Sequence, residues 1–247
     1  MNTDKKISRR EALKRMGFAV MSSAIASSGL LSLASCETKR SKRIIFYFTG
    51  TGNSLYIARQ LAGENAELLS IPQMVKRGKY EFEADEIGIV YPIYGHMPPY
   101  MVRQFIQKAK LKAEYKFAVL TYGARKCDAV EIWDRISRKA ANAIDYINTI
   151  IMVATWLPTF DKHEQLKIDK HIPENLQKIT ADINSRQHWH EPVTEEERQQ
   201  HQGFMQRSGL DPEVGFLMKS EMFFAVTDAC IGCGICTFVC PRGNYGL

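Results

Sequence analysis

The run Ile44-Ile45-Phe46-Tyr47-Phe48, followed at once by Thr49-Gly50-Thr51-Gly52-Asn53-Ser54, constrains this chain more than any other stretch. Five β-branched and aromatic residues in a row predict a buried strand. Leu55 to Leu61 then shows helical spacing, with Leu55, Ala58, Leu61 and Ala62 on one side. The Thr/Gly loop therefore joins the carboxyl end of a strand to the N-terminus of a helix. Backbone N–H groups point outward there, and the helix dipole favours an anion. Glycines let the backbone close around a phosphate, and the Thr and Ser hydroxyls can donate further hydrogen bonds. Two other phosphate motifs are excluded. The loop has no Gly-Lys-Ser/Thr ending, and residue 55 is Leu where Gly-x-Gly-x-x-Gly needs its last glycine.

The same strand–loop–helix alternation continues along the chain. Ala66 to Ile71, Glu86 to Tyr91, Phe117 to Thr121 and Thr149 to Ala154 read as further strands. Met101 to Ala109, Ala129 to Ala143 and Pro173 to Ile183 read as helices, the second with Val130, Trp133, Ile136 and Ala140 toward the sheet. Five strands alternating with helices imply an α/β fold with a doubly wound parallel sheet. Pro92-Ile93-Tyr94-Gly95 follows the third strand, and Tyr122-Gly123-Ala124 follows the fourth.

The loop Thr49 to Ser54 resembles the flavodoxin phosphate loop, Thr/Ser-x-Thr-Gly-x-Thr, with Ser54 in place of the last Thr and no Lys or Arg inside. The resemblance implies a flavodoxin-like fold that binds FMN, with neutral donors around the phosphate. In that fold the ligand sits at the switch point, outside the carboxyl ends of strands one, three and four. The cofactor-binding residues it implies are Thr49, Gly50, Thr51, Gly52, Asn53 and Ser54 for the phosphate. Pro92, Ile93, Tyr94, Gly95, Tyr122, Gly123 and Ala124 are implied for the ring. Tyr94 is the aromatic expected to stack on the flavin, with Tyr91 as its competitor. Gly123 is expected to permit close approach of the ring's polar edge.

A second module lies at residues 222–247. Met222-Phe223-Phe224-Ala225-Val226 is strand-like and leads into Cys230, Cys233, Cys236 and Cys240-Pro241. Thiolates are soft ligands that suit iron, and the spacing Cys-x2-Cys-x2-Cys-x3-Cys-Pro is that of a bacterial ferredoxin run. Structural zinc sites favour two separated Cys pairs instead. Together the two modules resemble the bacterial flavodoxin–ferredoxin fusion proteins, over most of Arg43 to Leu247. The family implies FMN, [4Fe-4S] clusters and electron transfer between them. It carries a second Cys run, absent from these 247 residues, so at most one cluster is expected on this chain. Three arrangements stay open: a longer chain with a second run, a ligand from a partner, or all four sulfurs on one cluster. Arg242-Gly243-Asn244 reads as the start of a continuing fold and favours the first.

The formal net charge of +6 is uneven. Residues 1–35 hold six Lys/Arg and two Asp/Glu, which leaves 27 basic and 25 acidic residues elsewhere. That balance gives no reason to expect a nucleic-acid partner. The basic N-terminus reads as an address. Ser8-Arg9-Arg10-Glu11-Ala12-Leu13-Lys14 looks like a twin-arginine export signal, and Leu33-Ala34-Ser35-Cys36 looks like a lipobox with Cys36 as the lipidation site. Six serines and two glycines between Gly17 and Ser35 make a poor membrane span. The expectation is a lipoprotein on the periplasmic or extracytoplasmic side, attached to the membrane through its lipid.

Four parts are thus expected: a signal over 1–35, a flavodoxin-like domain over 43–187, a polar bridge over 188–221 and the cluster module over 222–247. Within the bridge, His188-Trp189-His190-Glu191 reads as an exposed linker, and Glu195-Glu196-Glu197-Arg198 as a helix start with acids at the positive end. Cys127 reads as a semi-buried free thiol. No acid–base pair near the flavin is evident, so no catalytic residue is assigned. The expected role is electron transfer with a redox protein or quinone as partner. The alternatives are a flavin-dependent reductase of a quinone or small molecule, and a non-catalytic binding domain with a remnant cluster site.

Overall fold

The computed structural model describes residues 42–63, 66–156, 159–208 and Ile231. Arg9, Arg10, Cys36, the strand expected at 222–226 and the four clustered cysteines lie outside the described residues. Among the described residues no helix is long and apolar enough to cross a membrane.

The elements run β1 (Arg43–Tyr47), α1 (Asn53–Ala62), β2 (Ala66–Ser70), α2 (Ile71–Arg77), β3 (Glu81–Glu83), β4 (Glu86–Pro92), α3 (Tyr100–Lys108) and β5 (Lys110–Lys112). They continue as β6 (Tyr115–Tyr122), α4 (Ala129–Lys139), β7 (Tyr146–Ile151), α5 (Lys162–Lys167), α6 (Ile172–Asn184), β8 (Trp189–His190) and α7 (Glu195–Ser208). The main sheet has the order β2-β1-β4-β6-β7-β8, and every pairing in it is parallel. The first five of these strands have the flavodoxin-like doubly wound order.

Both faces of the sheet are buried, which is why its strands read as continuous apolar runs. On one face Phe46, Ile89, Tyr91 and Leu120 pack with Met74, Phe105 and Trp133 from α2, α3 and α4. On the other, Ile45, Val90, Val119 and Ile150 pack with Ile57, Leu61, Leu176 and Ile179 from α1 and α6. The buried side of α1 is Ser54, Ile57, Ala58, Leu61 and Ala62. Leu55, expected on that side, is only half-buried. Gly88 lies opposite Phe117 in the β4–β6 register, and a Cβ there would come within 2.3 Å of the Phe117 ring.

Three departures from the sequence reading have physical causes. First, β7 spans Tyr146–Ile151 rather than 149–154. Its polar start is satisfied internally, since Asn148 Nδ2 donates to the Tyr146 hydroxyl at 2.6 Å and that hydroxyl donates to Asp182 Oδ2 at 3.0 Å. Second, Glu81–Glu83 and Lys110–Lys112 form a separate two-stranded parallel sheet with the salt bridges Lys110–Glu81 and Lys112–Glu83, both 2.7 Å. Third, residues 189–190, expected in an exposed linker, add a sixth strand beside β7, so the sheet continues past residue 187. His190 is half-buried with Nε2 2.9 Å from the Ile144 carbonyl oxygen. Glu191 accepts from the Thr149 hydroxyl at 2.6 Å and pairs with Lys126 at 2.7 Å.

Helix α7 starts where the acidic run suggests. Thr194 and Glu197 form a reciprocal capping box: Glu197 N–H donates to Thr194 Oγ1 at 3.2 Å, and Thr194 N–H donates to Glu197 Oε2 at 2.9 Å.

Candidate functional site

A parallel sheet delivers the loops after β1, β4, β6 and β7 to one edge. The first of them is the Thr/Gly loop. Gly52 has φ 98°, a left-handed conformation that glycine adopts without a Cβ penalty, and it ends the loop by turning the chain into α1. The turn is closed from inside: Gly52 N–H donates to Thr49 Oγ1 at 3.0 Å, and Tyr56 N–H donates to the Gly52 carbonyl at 2.9 Å. No side chain caps the N-terminus of α1, and Gly50, Thr51 and Gly52 are exposed. The orphan N–H groups of the first helical turn are thus left for an anion.

Two loop residues do something other than expected. The Ser54 hydroxyl is buried and bonded to Thr121 Oγ1 at 2.8 Å, so it ties α1 to β6 rather than serving the loop. The Asn53 side chain donates to the Val153 carbonyl at 2.9 Å, which pins the loop after β7. The Thr51 hydroxyl lies 3.1 Å from that of Thr155 in the same loop.

In the loop after β4, Pro92 ends the strand and Ile93 N–H donates to the Thr121 carbonyl at 2.8 Å. Tyr94 and Met97 exchange backbone hydrogen bonds of 2.9 and 3.1 Å around a tight turn. Gly95 (φ 56°) and His96 (φ 65°) make that turn with two left-handed residues. Tyr94 is 45% exposed, stands edge-on to Phe48 at 6.4 Å, and reaches the Thr/Gly loop so closely that a Cβ on Gly50 would lie 2.7 Å from its hydroxyl. Tyr91, the competing aromatic, is wholly buried against Trp133 with ring centroids 4.8 Å apart. Tyr94 is therefore the aromatic of the two that can meet a ligand ring.

In the loop after β6, the Tyr122 carbonyl accepts from Met152 N–H at 2.7 Å, and Ala124 is exposed. Burial raises the Tyr122 phenol, with the Glu191 charge adding to it. Gly123 was expected to admit a ligand, but the close approach it permits is to protein: a Cβ there would lie 2.6 Å from Ala154 Cα. Cys127 is buried with φ 47°, and burial pushes its thiol up to about 11, with the Asp128 charge contributing. A helix N-terminus does not activate it.

The residues that sequence reasoning missed lie on the loop after β7 and on α7. Placing the fifth strand three residues late put Val153 inside a strand, and no motif marked Thr155 and Trp156, which lie with it on the ligand edge. Trp156 is 66% exposed there. Helix α7 crosses the loops after β4 and β6. Glu197 pairs with Lys126 at 3.3 Å, and Phe204 lies against His96 with ring centroids 4.7 Å apart. His201 Nδ1 lies 3.3 Å from His96 Nδ1 and 3.4 Å from Asp128 Oδ1. The polar composition of α7 hides this, because its contacts are ionic and aromatic rather than aliphatic.

The comparisons with known proteins fall on both modules. Residues 225–244 match the family model of the 4Fe-4S binding domain. No curated protein matches the chain. Solved structures similar to it include a flavoprotein in complex with FMN from Lactobacillus acidophilus NCFM, at 12% identity over 44% of this chain and 93% of that one, TM-score 0.34. The two-electron reduced flavodoxin of Megasphaera elsdenii is similar at 18% identity over 43% and 84%, TM-score 0.35. Rubredoxin oxygen:oxidoreductase from Desulfovibrio gigas is similar at 14% identity over 56% and 36%, TM-score 0.37. The fold assignment rests on the strand order itself.

The Tyr91 hydroxyl is buried without a hydrogen-bond partner. Tyr91→Phe therefore stabilises the fold, by about 1 kcal/mol in urea denaturation, and leaves flavin affinity unchanged. Tyr94→Ala leaves stability nearly unchanged and weakens flavin binding. The reverse pattern would return the stacking role to Tyr91.

Proposed function

We propose that this chain is an electron-transfer flavoprotein that passes electrons between FMN at the carboxyl edge of the sheet and a [4Fe-4S] cluster on Cys230, Cys233, Cys236 and Cys240. One observation carries the flavin assignment: the left-handed turn at Gly52 leads into an uncapped helix N-terminus, with the exposed face of Tyr94 beside it. That edge offers neutral donors for one phosphate and a flat apolar surface for a ring. Thr49, Gly50, Thr51, Gly52 and Asn53 would hold the phosphate, mainly through backbone N–H groups. Tyr94 and Trp156 would flank the ring, and the 122–124 and 152–156 backbones would line its polar edge. The match at residues 225–244 supports the cluster on the four cysteines.

When bound, FMN exchanges one or two electrons and the cluster exchanges one, so the pair converts between two-electron and one-electron partners. The chain's own contribution is to bind and orient. It closes a loop on the phosphate, presents an aromatic face, and carries both groups on one polypeptide. The electron partner is a redox protein or a quinone.

Anaerobic reconstitution of the full chain tests both groups in one preparation. Released flavin should chromatograph as FMN at one per chain, and iron should count to about four per chain. Gly52→Val should lose FMN while keeping its iron, since a β-branched residue resists φ 98°. Finding FAD, no flavin after FMN is added, or about eight irons per chain would each overturn the corresponding part.

The N-terminal signals support an address as well. We propose export by the twin-arginine route and attachment through lipid on Cys36. Cys36→Ala should abolish lipid labelling and membrane recovery while the cofactors stay bound. A lipid-labelled mature form of that variant would refute the anchor.

A further inference from the structure

Helix α7 brings three titratable side chains together beside the ligand edge. His96 belongs to the tight turn that carries Tyr94, Asp128 follows the loop after β6, and His201 comes from α7. His201 Nδ1 faces both partners, at 3.3 Å from His96 Nδ1 and 3.4 Å from Asp128 Oδ1. The His201 and Asp128 side chains are only 13% and 16% exposed. Two of the chain's left-handed non-glycine residues, His96 and Cys127, shape the two turns that α7 touches. Backbone strain of this kind persists only where the surroundings enforce it, and it concentrates at functional sites.

The geometry restricts where protons can sit. Two Nδ1 atoms 3.3 Å apart need one hydrogen between them. His201 supplies it in the tautomer protonated on Nδ1, and that atom also lies 3.4 Å from Asp128 Oδ1, a buried oxygen with no hydrogen-bond partner. Its Nε2 is then the position that can take up another proton. His96 suits the acceptor role: burial first, then the charges of His201 and Arg125, hold it down to about 4 and keep it neutral. Asp128 is raised by burial, with Glu131 also raising it and His201 and Arg135 opposing. Those residues, with Phe204 over the His96 ring, are the groups that face the cluster from the loop after β6, α4 and α7. His201 and His96 share a hydrogen bond, while Asp128 Oδ1 is buried and makes none.

We propose that His201 is a redox-linked proton site: it takes up one proton from solvent on Nε2 when the flavin beside the Tyr94 turn is reduced by two electrons, with Asp128 as counter-charge and His96 as hydrogen-bond acceptor. The inference rests on the FMN reading given above. An iron–sulfur cluster hands over electrons without protons, so reduction builds negative charge at the ligand edge. Charge on a ring beside the Tyr94 turn is only weakly screened at a partly buried side chain, and it favours the imidazolium form of His201, which touches that turn through His96. The electrons come from the reductant, the proton comes from water, and no bond of His201 other than N–H changes.

The test uses the full FMN-loaded chain, reduced at an electrode while flavin absorbance is followed, across about pH 6–8, the range where an imidazole titrates. Wild type should take up one more proton per two electrons than His201→Asn, read from the pH dependence of the midpoint potential. Asn keeps an amide donor for His96, so FMN affinity should stay unchanged. Imidazole NMR on the wild-type protein gives a second readout that needs no variant: the His201 titration should move to higher pH in the reduced protein and His96 should stay neutral. Equal proton uptake in both proteins, or a His201 titration indifferent to flavin reduction, overturns the proposal while leaving the FMN reading intact. Failure of wild type to bind FMN overturns both.

Discussion

Burial of both faces of one parallel sheet is the constraint on which the rest depends. Helices must cover both sides, so each strand leaves the sheet by a loop at its carboxyl end, and those loops gather on one edge. The buried pairs are close-fitting. Gly88 makes room for the Phe117 ring, and Trp133 packs on Tyr91, so β1, β4 and β6 have one register and their loops one geometry. Glu86 anchors the opposite end through Arg43 at 2.6 Å and Arg186 at 3.0 Å.

Most of the sheet was legible because its signal is local. Ile44 to Phe48 and Phe117 to Leu120 are apolar without interruption, and a turn with glycine at position 52 follows closely on the first. What was illegible depends on partners far along the chain. The two residues of β8 pair with Tyr146 and Ile147, and Glu191 is held by Thr149 and Lys126, more than 40 positions away. Trp189 and His190 carry no alternation that would mark a strand. The Glu81–Glu83 and Lys110–Lys112 pair is legible only as complementary charge, once the two segments are known to meet.

The site divides in the same way. The Thr/Gly loop could be read from its order of residues, and Tyr94 from its place after a strand. Sequence order cannot say which way a hydroxyl or a glycine faces. Ser54 turns inward to Thr121, and the space at Gly123 is taken by Ala154. Helix α7 looked like part of a bridge because it buries no aliphatic face. It docks through His201, Phe204 and Glu197, and so brings to the ligand edge residues that lie 71 to 108 positions from the partners they touch on two loops.

The proposed function requires electrons to move within one chain between a flavin and an iron–sulfur cluster. Its most direct test is rapid anaerobic mixing of the doubly loaded chain with a one-electron reductant, following flavin and cluster absorbance separately. The two signals should exchange after the first reduction, at a rate independent of protein concentration. A rate that rises in proportion to protein concentration, or two groups that reduce without exchanging electrons, would contradict it.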